Sequence, residues 1–175
     1  MPGKRYENMI DPGDLKRHVI GPALEKIGLS SRAAVNLLLA TAIVESTAGK
    51  FQYLKQRGGG PALGIFQIEP ATHGDIWKNF LRYRLSLYNV ILQVSASYFY
   101  KRLPPDHELV WNLAYATAIA RLVYYRSPLP LPEADDLPAL GAYWKRVYNT
   151  ADGKGTVDHF LDQVEPHRAV FAANI

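Results

Sequence analysis

From Ala33 to Val44 the chain reads Ala-Ala-Val-Asn-Leu-Leu-Leu-Ala-Thr-Ala-Ile-Val, and only Asn36 and Thr41 interrupt the apolar run. Wound as a helix, the segment is apolar on nearly every side and has no face to present to water. It falls well short of the ~20 apolar residues that cross a bilayer. The arrangement that remains is a helix in the middle of a globular core, clad by other elements.

The rest of the sequence supplies that cladding. Ser30 or Ser31 is placed to cap the apolar helix, which runs to about Thr47. Asp14 is predicted to cap a first helix from Leu15 to Ile27, kinked by Gly21-Pro22 and ended by Gly28. Thr72, with Asp75 three residues on, is predicted to start a helix through Trp77 and Leu81. Further helices are expected over Ser86 to Leu103, Glu108 to Arg126 and Leu137 to Tyr148. A last one is capped by Thr156 and interrupted at Pro166. Ser127 to Asp136 is proline-rich and reads as a stiff surface connection. Arg57-Gly58-Gly59-Gly60-Pro61 resists helix formation, and Ile65-Phe66-Gln67-Ile68 alternates as a short extended piece would. The expected fold class is therefore all-α, with at most a small extended element near residues 63–69. The whole of 1–175 forms one domain, with 1–13 an irregular N-terminal segment.

Composition narrows the chemistry. The chain has no cysteine, hence no thiolate nucleophile and none of the common cysteine zinc sites. Its five histidines are scattered and none has HExxH spacing. Neither a metal nor a cofactor is expected. The net charge of +4 favours an anionic partner weakly. The basic residues are dispersed rather than gathered into an arm, so nucleic acid is not the expected partner; steep weakening of binding by salt would mark it if it were. The segment beginning Met1-Pro2-Gly3-Lys4-Arg5 is polar and lacks the apolar stretch of a signal peptide.

Glu45 closes the apolar helix, with Leu37, Leu38 and Thr41 on the turns just before it. A carboxyl there is partly desolvated, which disfavours its charged form and raises its pKa. A carboxylic acid still protonated near neutral pH is what general-acid cleavage of a glycosidic bond requires. Taken alone, a glutamate at a helix C-terminus is more often a solvated charge. Gly58 to Gly60 reads equally as a close backbone approach to a sugar or as a plain turn. Tyr98, Tyr100, Tyr115, Tyr124 and Tyr125 at helical spacing are more often core than sugar platforms. His73 reads as a first-turn helix residue rather than a catalyst.

A second motif follows Glu45-Ser46 at a fixed distance. Gly64-Ile-Phe-Gln-Ile-Glu-Pro-Ala-Thr72 has the form Gly-x-Phe-Gln-x-x-Pro-x-Thr. Together, the Glu-Ser pair, the glycine-rich stretch and this segment resemble the soluble lytic transglycosylase family, whose fold is like that of goose-type lysozyme. The similarity is close from about Leu37 to Trp77 and weaker to Leu103. Over the whole chain, Trp111-Asn-Leu-Ala-Tyr-Ala, Tyr143-Trp-Lys-Arg-Val-Tyr-Asn-Thr and Gly153-Lys-Gly-Thr resemble a group of transglycosylase-like phage proteins. The family's third motif, Ala-Tyr-Asn, is represented only by Ala114-Tyr115-Ala116, which lacks the asparagine.

The resemblance implies a lysozyme-like helical fold in which Glu45 is the catalytic residue. It implies that Ser46, Gly64, Phe66 and Gln67 line the sugar groove, with Tyr115 standing for the third-motif tyrosine. It implies cleavage of peptidoglycan between N-acetylmuramic acid and N-acetylglucosamine, giving 1,6-anhydromuramoyl ends. One carboxyl suffices for this; a hydrolase would need a second carboxylate or a positioned water. Glu69, Asp75 and Asp106 are the candidates for that second group, without motif support. Glycan strands of peptidoglycan are the expected partner, with other phage tail or internal core proteins beside them. The expected setting is a virion that delivers the protein to the cell wall after synthesis in the host cytoplasm. The alternative is a structural or binding virion protein that keeps the fold with little or no activity.

Overall fold

The computed structural model describes residues 10–48, 51–100, 102–151 and 153–173. The expected irregular segment therefore lies largely outside the described residues. The fold is all-α, with helices packed about one buried apolar cluster. No helix among the described residues is long and apolar enough to cross a membrane.

The apolar run forms the helix Arg32–Ser46, and every residue from Ala34 to Val44 is buried. Ser31 caps it, its hydroxyl accepting from the Ala34 N–H at 3.1 Å. The helix Leu113–Tyr125, the helix Leu137–Trp144, the helix Val157–Val164 and the segment Leu15–Ile20 all pack against it. Leu37, Leu38, Leu39 and Ile43 are essentially sealed from solvent, and each contributes about 1.5–3 kcal/mol of transfer free energy. The two polar interruptions have partners. Thr41 donates to the Leu37 carbonyl at 2.7 Å and meets the Tyr124 hydroxyl at 2.7 Å. Asn36 donates to the carbonyls of Ala134 and Phe171, at 2.9 and 3.0 Å, and so ties two later segments to the central helix.

Several boundaries differ from the sequence expectation. The first helix begins at Pro12 under an Asp11 cap, not at Leu15 under Asp14. It runs through Gly21-Pro22, because Leu15–Ile20 is wound as a π-helix. There the Gly21 N–H reaches back to the Lys16 carbonyl, and the wider turn absorbs the missing donor and bulk of Pro22. Gly28, at φ +70°, ends this helix as expected. The helix predicted to start at Thr72 starts at Pro70, a residue whose missing N–H costs nothing in the first turn. Asn112 divides the predicted helix over 108–126 by capping the Tyr115 N–H with its own side chain at 3.1 Å. Ser95 likewise ends the helix Leu85–Val94 before a short 3-10 turn.

The expected small extended element near residues 63–69 is reduced to antiparallel bridges from Leu63 to Ile68 and to Lys55, and a second piece lies earlier in the chain. A two-stranded antiparallel hairpin joins Thr47–Ala48 to Phe51–Gln52, directly after the central helix. Residues 64–67 form a tight turn rather than a strand, closed by reciprocal backbone bonds of 3.0 Å between Leu63 and Ile68.

Candidate active site

The central helix ends where its last carbonyls need partners. Tyr53, returning from the hairpin, supplies two: its N–H donates to the Ser46 carbonyl and its hydroxyl to the Glu45 carbonyl, each at 2.8 Å. This fixes the last turn and aims the Glu45 side chain into a cleft of about 600 Å³. Its lining includes Tyr53, Gln56, Ala62, Gln67, Ile68, Glu69, Thr72 and Tyr148, with Asn149, Thr150, Gly153, Lys154 and Gly155.

Burial pushes the Glu45 carboxyl up to about 7, opposed by a hydrogen bond from the indole of Trp144. The Trp144 Nε1–H donates to Glu45 Oε1 at 2.9 Å. Tyr148, whose hydroxyl donates to the Phe66 carbonyl at 2.7 Å, stacks on Tyr124. Burial first, then the nearby Glu45, holds both phenols well above their ordinary range, so they are neutral donors at physiological pH. Near neutrality the Glu45 carboxyl is thus poised to give or take a proton, beside the neutral phenol of Tyr148, while Glu69 and Lys154 lie elsewhere in the cleft lining.

Of the residues singled out in the sequence, Glu45 and Gln67 line this cleft together. Gln67 occupies a left-handed conformation at φ +47°, and its side-chain amide donates to the Gly64 carbonyl at 2.8 Å. That bond fixes the side chain of a residue that lines the cleft. Gly64 is buried at φ +73°, its N–H bonded to the Leu54 carbonyl at 2.8 Å. A Cβ there would run into the Leu109 carbonyl oxygen. Its role is to let the turn that carries Gln67 press against the neighbouring helix, not to touch a ligand.

Besides Gly64, three assignments need correction. Phe66 is fully buried in the core, and only its carbonyl serves the site, as the acceptor for Tyr148. Ser46 is fully buried as well; its hydroxyl donates to Ala42 and accepts from Gln52, so it braces the hairpin. Tyr115, 0% exposed, lies in a separate network with His73 at 2.6 Å and the Trp77 indole at 2.9 Å. His73 in turn bridges to Asp106 at 2.6 Å. These side chains are consumed by packing and internal bonds, which is why none reaches the cleft.

Of the candidate second carboxylates, Glu69 is on the cleft wall and exposed. Asp75 is paired with Arg126 and Asp106 with His73, both outside the cleft lining. Gly58 and Gly59 make an exposed turn with φ near +80°, and Gln56 and Ala62 carry the cleft wall at that end.

Sequence reasoning missed the lining residues Asn149, Thr150, Gly153, Lys154 and Gly155. The Lys145 ammonium donates to the Asn149 side chain at 2.8 Å and to the Gly153 carbonyl at 2.7 Å, and both of these residues line the cleft. The only signal was the run Tyr143 to Thr150 with Gly153-Lys-Gly-Thr, noticed as a resemblance but without a role. Among the described residues no group of His, Asp and Glu side chains has the arrangement of a metal site. No family model, curated protein or solved structure matches this chain.

Proposed function

We propose that this protein is a peptidoglycan lytic transglycosylase that uses Glu45 as its single acid and base. The observation that carries the reading is the Glu45 carboxyl, raised to about 7 by burial, sharing a cleft with the motif residue Gln67. As the acid, Glu45 protonates the oxygen linking N-acetylmuramic acid to N-acetylglucosamine, and the bond from that oxygen to C1 breaks. As the base, it takes the proton of the muramoyl 6-hydroxyl while that oxygen closes on C1. A pKa near the working pH suits both halves, because the same group must first give and then receive. A cleft lined by Gln56, Gln67, Thr72, Tyr148 and Asn149 beside Glu45 offers a glycan strand hydroxyl and amide partners.

The family resemblance supports a lysozyme-like fold and a phage virion as the carrier that brings the protein to the bacterial wall. Digestion of purified peptidoglycan, followed by mass analysis of the fragments, tests the activity. Mass spectrometry of purified particles tests the carrier.

A second reading, a virion structural protein with the same fold and little activity, is favoured by one observation. The residue matching the third-motif tyrosine, Tyr115, is sealed in the His73 network instead of facing the cleft. Intact wall after prolonged incubation with the folded protein would select it.

A further inference from the structure

We infer that Trp144 is a positioning residue for Glu45: its indole N–H holds one carboxyl oxygen as an acceptor and leaves the transferable proton on the oxygen that faces the cleft. The inference rests on the reading of Glu45 as a general acid.

An indole nitrogen donates and cannot accept. It stands 2.9 Å from Glu45 Oε1. A neutral carboxyl has one carbonyl oxygen and one hydroxyl oxygen, and only the first pairs well with a fixed N–H. The proton therefore sits on Oε2, which has no hydrogen-bond partner among the described residues and opens on the cleft. After the proton leaves, the same N–H stabilises the carboxylate without any reorganisation, so the group that gave the proton is held where it must take one back.

The indole is fixed from both sides. Trp144 is 1% exposed. A Cβ on Gly155 would run into its Cη2 atom. Its other neighbour, Phe160, lies tilted at 5.4 Å between ring centroids and is itself pressed against Gly141, where a Cβ would stand 2.8 Å from the ring. Gly141 and Gly155 thus leave the space in which the Trp144–Phe160 pair is clamped. Other ionisable groups around the carboxyl are the phenols of Tyr53, Tyr124 and Tyr148, with Glu69 and Lys154 on the cleft walls. None of them hydrogen-bonds the carboxyl; the Tyr53 hydroxyl goes to the Glu45 backbone carbonyl instead.

The test replaces Trp144 with 3-benzothienylalanine, which keeps the shape of the indole and exchanges its N–H for sulfur. Trp144→Phe is the genetically encoded version, and the isosteric analogue covers the case in which that variant misfolds. Two readouts are used. In the unmodified protein, one of the three tryptophan indole N–H resonances should shift with pH about a midpoint near 7 and stop doing so in Glu45→Gln. With the analogue, kcat on peptidoglycan should fall about tenfold or more with KM little changed. The alkaline limb of the pH profile should move up by about one unit, because the ionised carboxylate has lost its donor. A Trp144 resonance that stays flat while Glu45 titrates would overturn the inference, as would an analogue with unchanged kcat and unchanged limb. If the unmodified protein cleaves no glycan while its indole resonance titrates, the general-acid reading fails and the inferred role of Trp144 fails with it. The hydrogen bond itself would survive that result, so the two failures are told apart.

Discussion

Replacing Glu45 by glutamine should change stability in a way that depends on pH, and the size of the change follows from the site. The carboxyl has a reference value of 4.5 and is pushed by burial to about 7 in the folded protein. Below 4.5 both folded and unfolded chains carry the proton, and ionisation costs nothing. Between 4.5 and 7 the unfolded chain releases the proton and the folded one keeps it, so stability falls as pH rises. Above 7 both are ionised, and the folded state bears the full cost of a desolvated charge. A shift of about 2.5 units corresponds to roughly 3 kcal/mol. Glutamine cannot ionise, and its carbonyl can still accept from Trp144. The difference between variant and parent should therefore be near zero at about pH 4.5 and grow to about 3 kcal/mol in favour of the variant by about pH 8. For a domain of this size that is a rise in Tm of roughly 6–12 °C. Urea unfolding of both proteins across this range measures it, and the other titrating groups cancel in the difference. A difference that stays constant with pH would mean that Glu45 has an ordinary carboxylate's environment, and the physical reason for calling it a general acid would be gone.

Other expectations concern the scaffold and the cleft. Gly64→Ala forces a side chain into the Leu109 carbonyl at φ +73°; it should cost about 3 kcal/mol in a denaturation experiment, and a loss below about 1 kcal/mol would show that the turn can relax. Glu69→Gln should leave cleavage of peptidoglycan nearly intact, whereas a large loss in kcat would make Glu69 the second carboxylate of a hydrolase. Lys16, buried with its ammonium bonded to the carbonyls of Val170 and Ala173 at 2.8 and 2.7 Å, anchors the last helix. Lys16→Met should cost about 2 kcal/mol by leaving those acceptors unpaired and should expose the chain after Val164 to limited proteolysis; an unchanged digestion pattern would contradict the anchoring.

The parts of the fold that were legible in the sequence are those written in consecutive residues. The run Ala33 to Val44 has no polar face, so its place in the core followed from composition alone, and Ser31 marked its start. Glu45 stood out because it terminates that run, and Gln67 because it sits in a fixed local pattern. Residues whose roles depend on distant partners were not legible. Trp144 lies 99 positions from Glu45, and nothing near it in the chain announces that its N–H meets a carboxyl. Phe66 and Tyr115 belong to matching motif positions, yet the core claims both side chains. The apparent strand at Ile65 to Ile68 is apolar because three of its residues, Ile65, Phe66 and Ile68, fill the core around a turn, and of these only Ile68 is paired, with Leu63; the two-stranded pairing at Thr47–Ala48 has no alternation long enough to read.

Mass analysis of fragments released from purified peptidoglycan by the protein and by its Glu45→Gln variant tests the central claim most directly. The parent should release fragments with anhydromuramoyl ends, each lighter by one water than the corresponding hydrolysed fragment. The variant, folded and at least as stable, should release them slower by about 10⁴-fold or more, the upper end of what one acid–base group supplies. Equal release by both proteins, or no release by either, would contradict it.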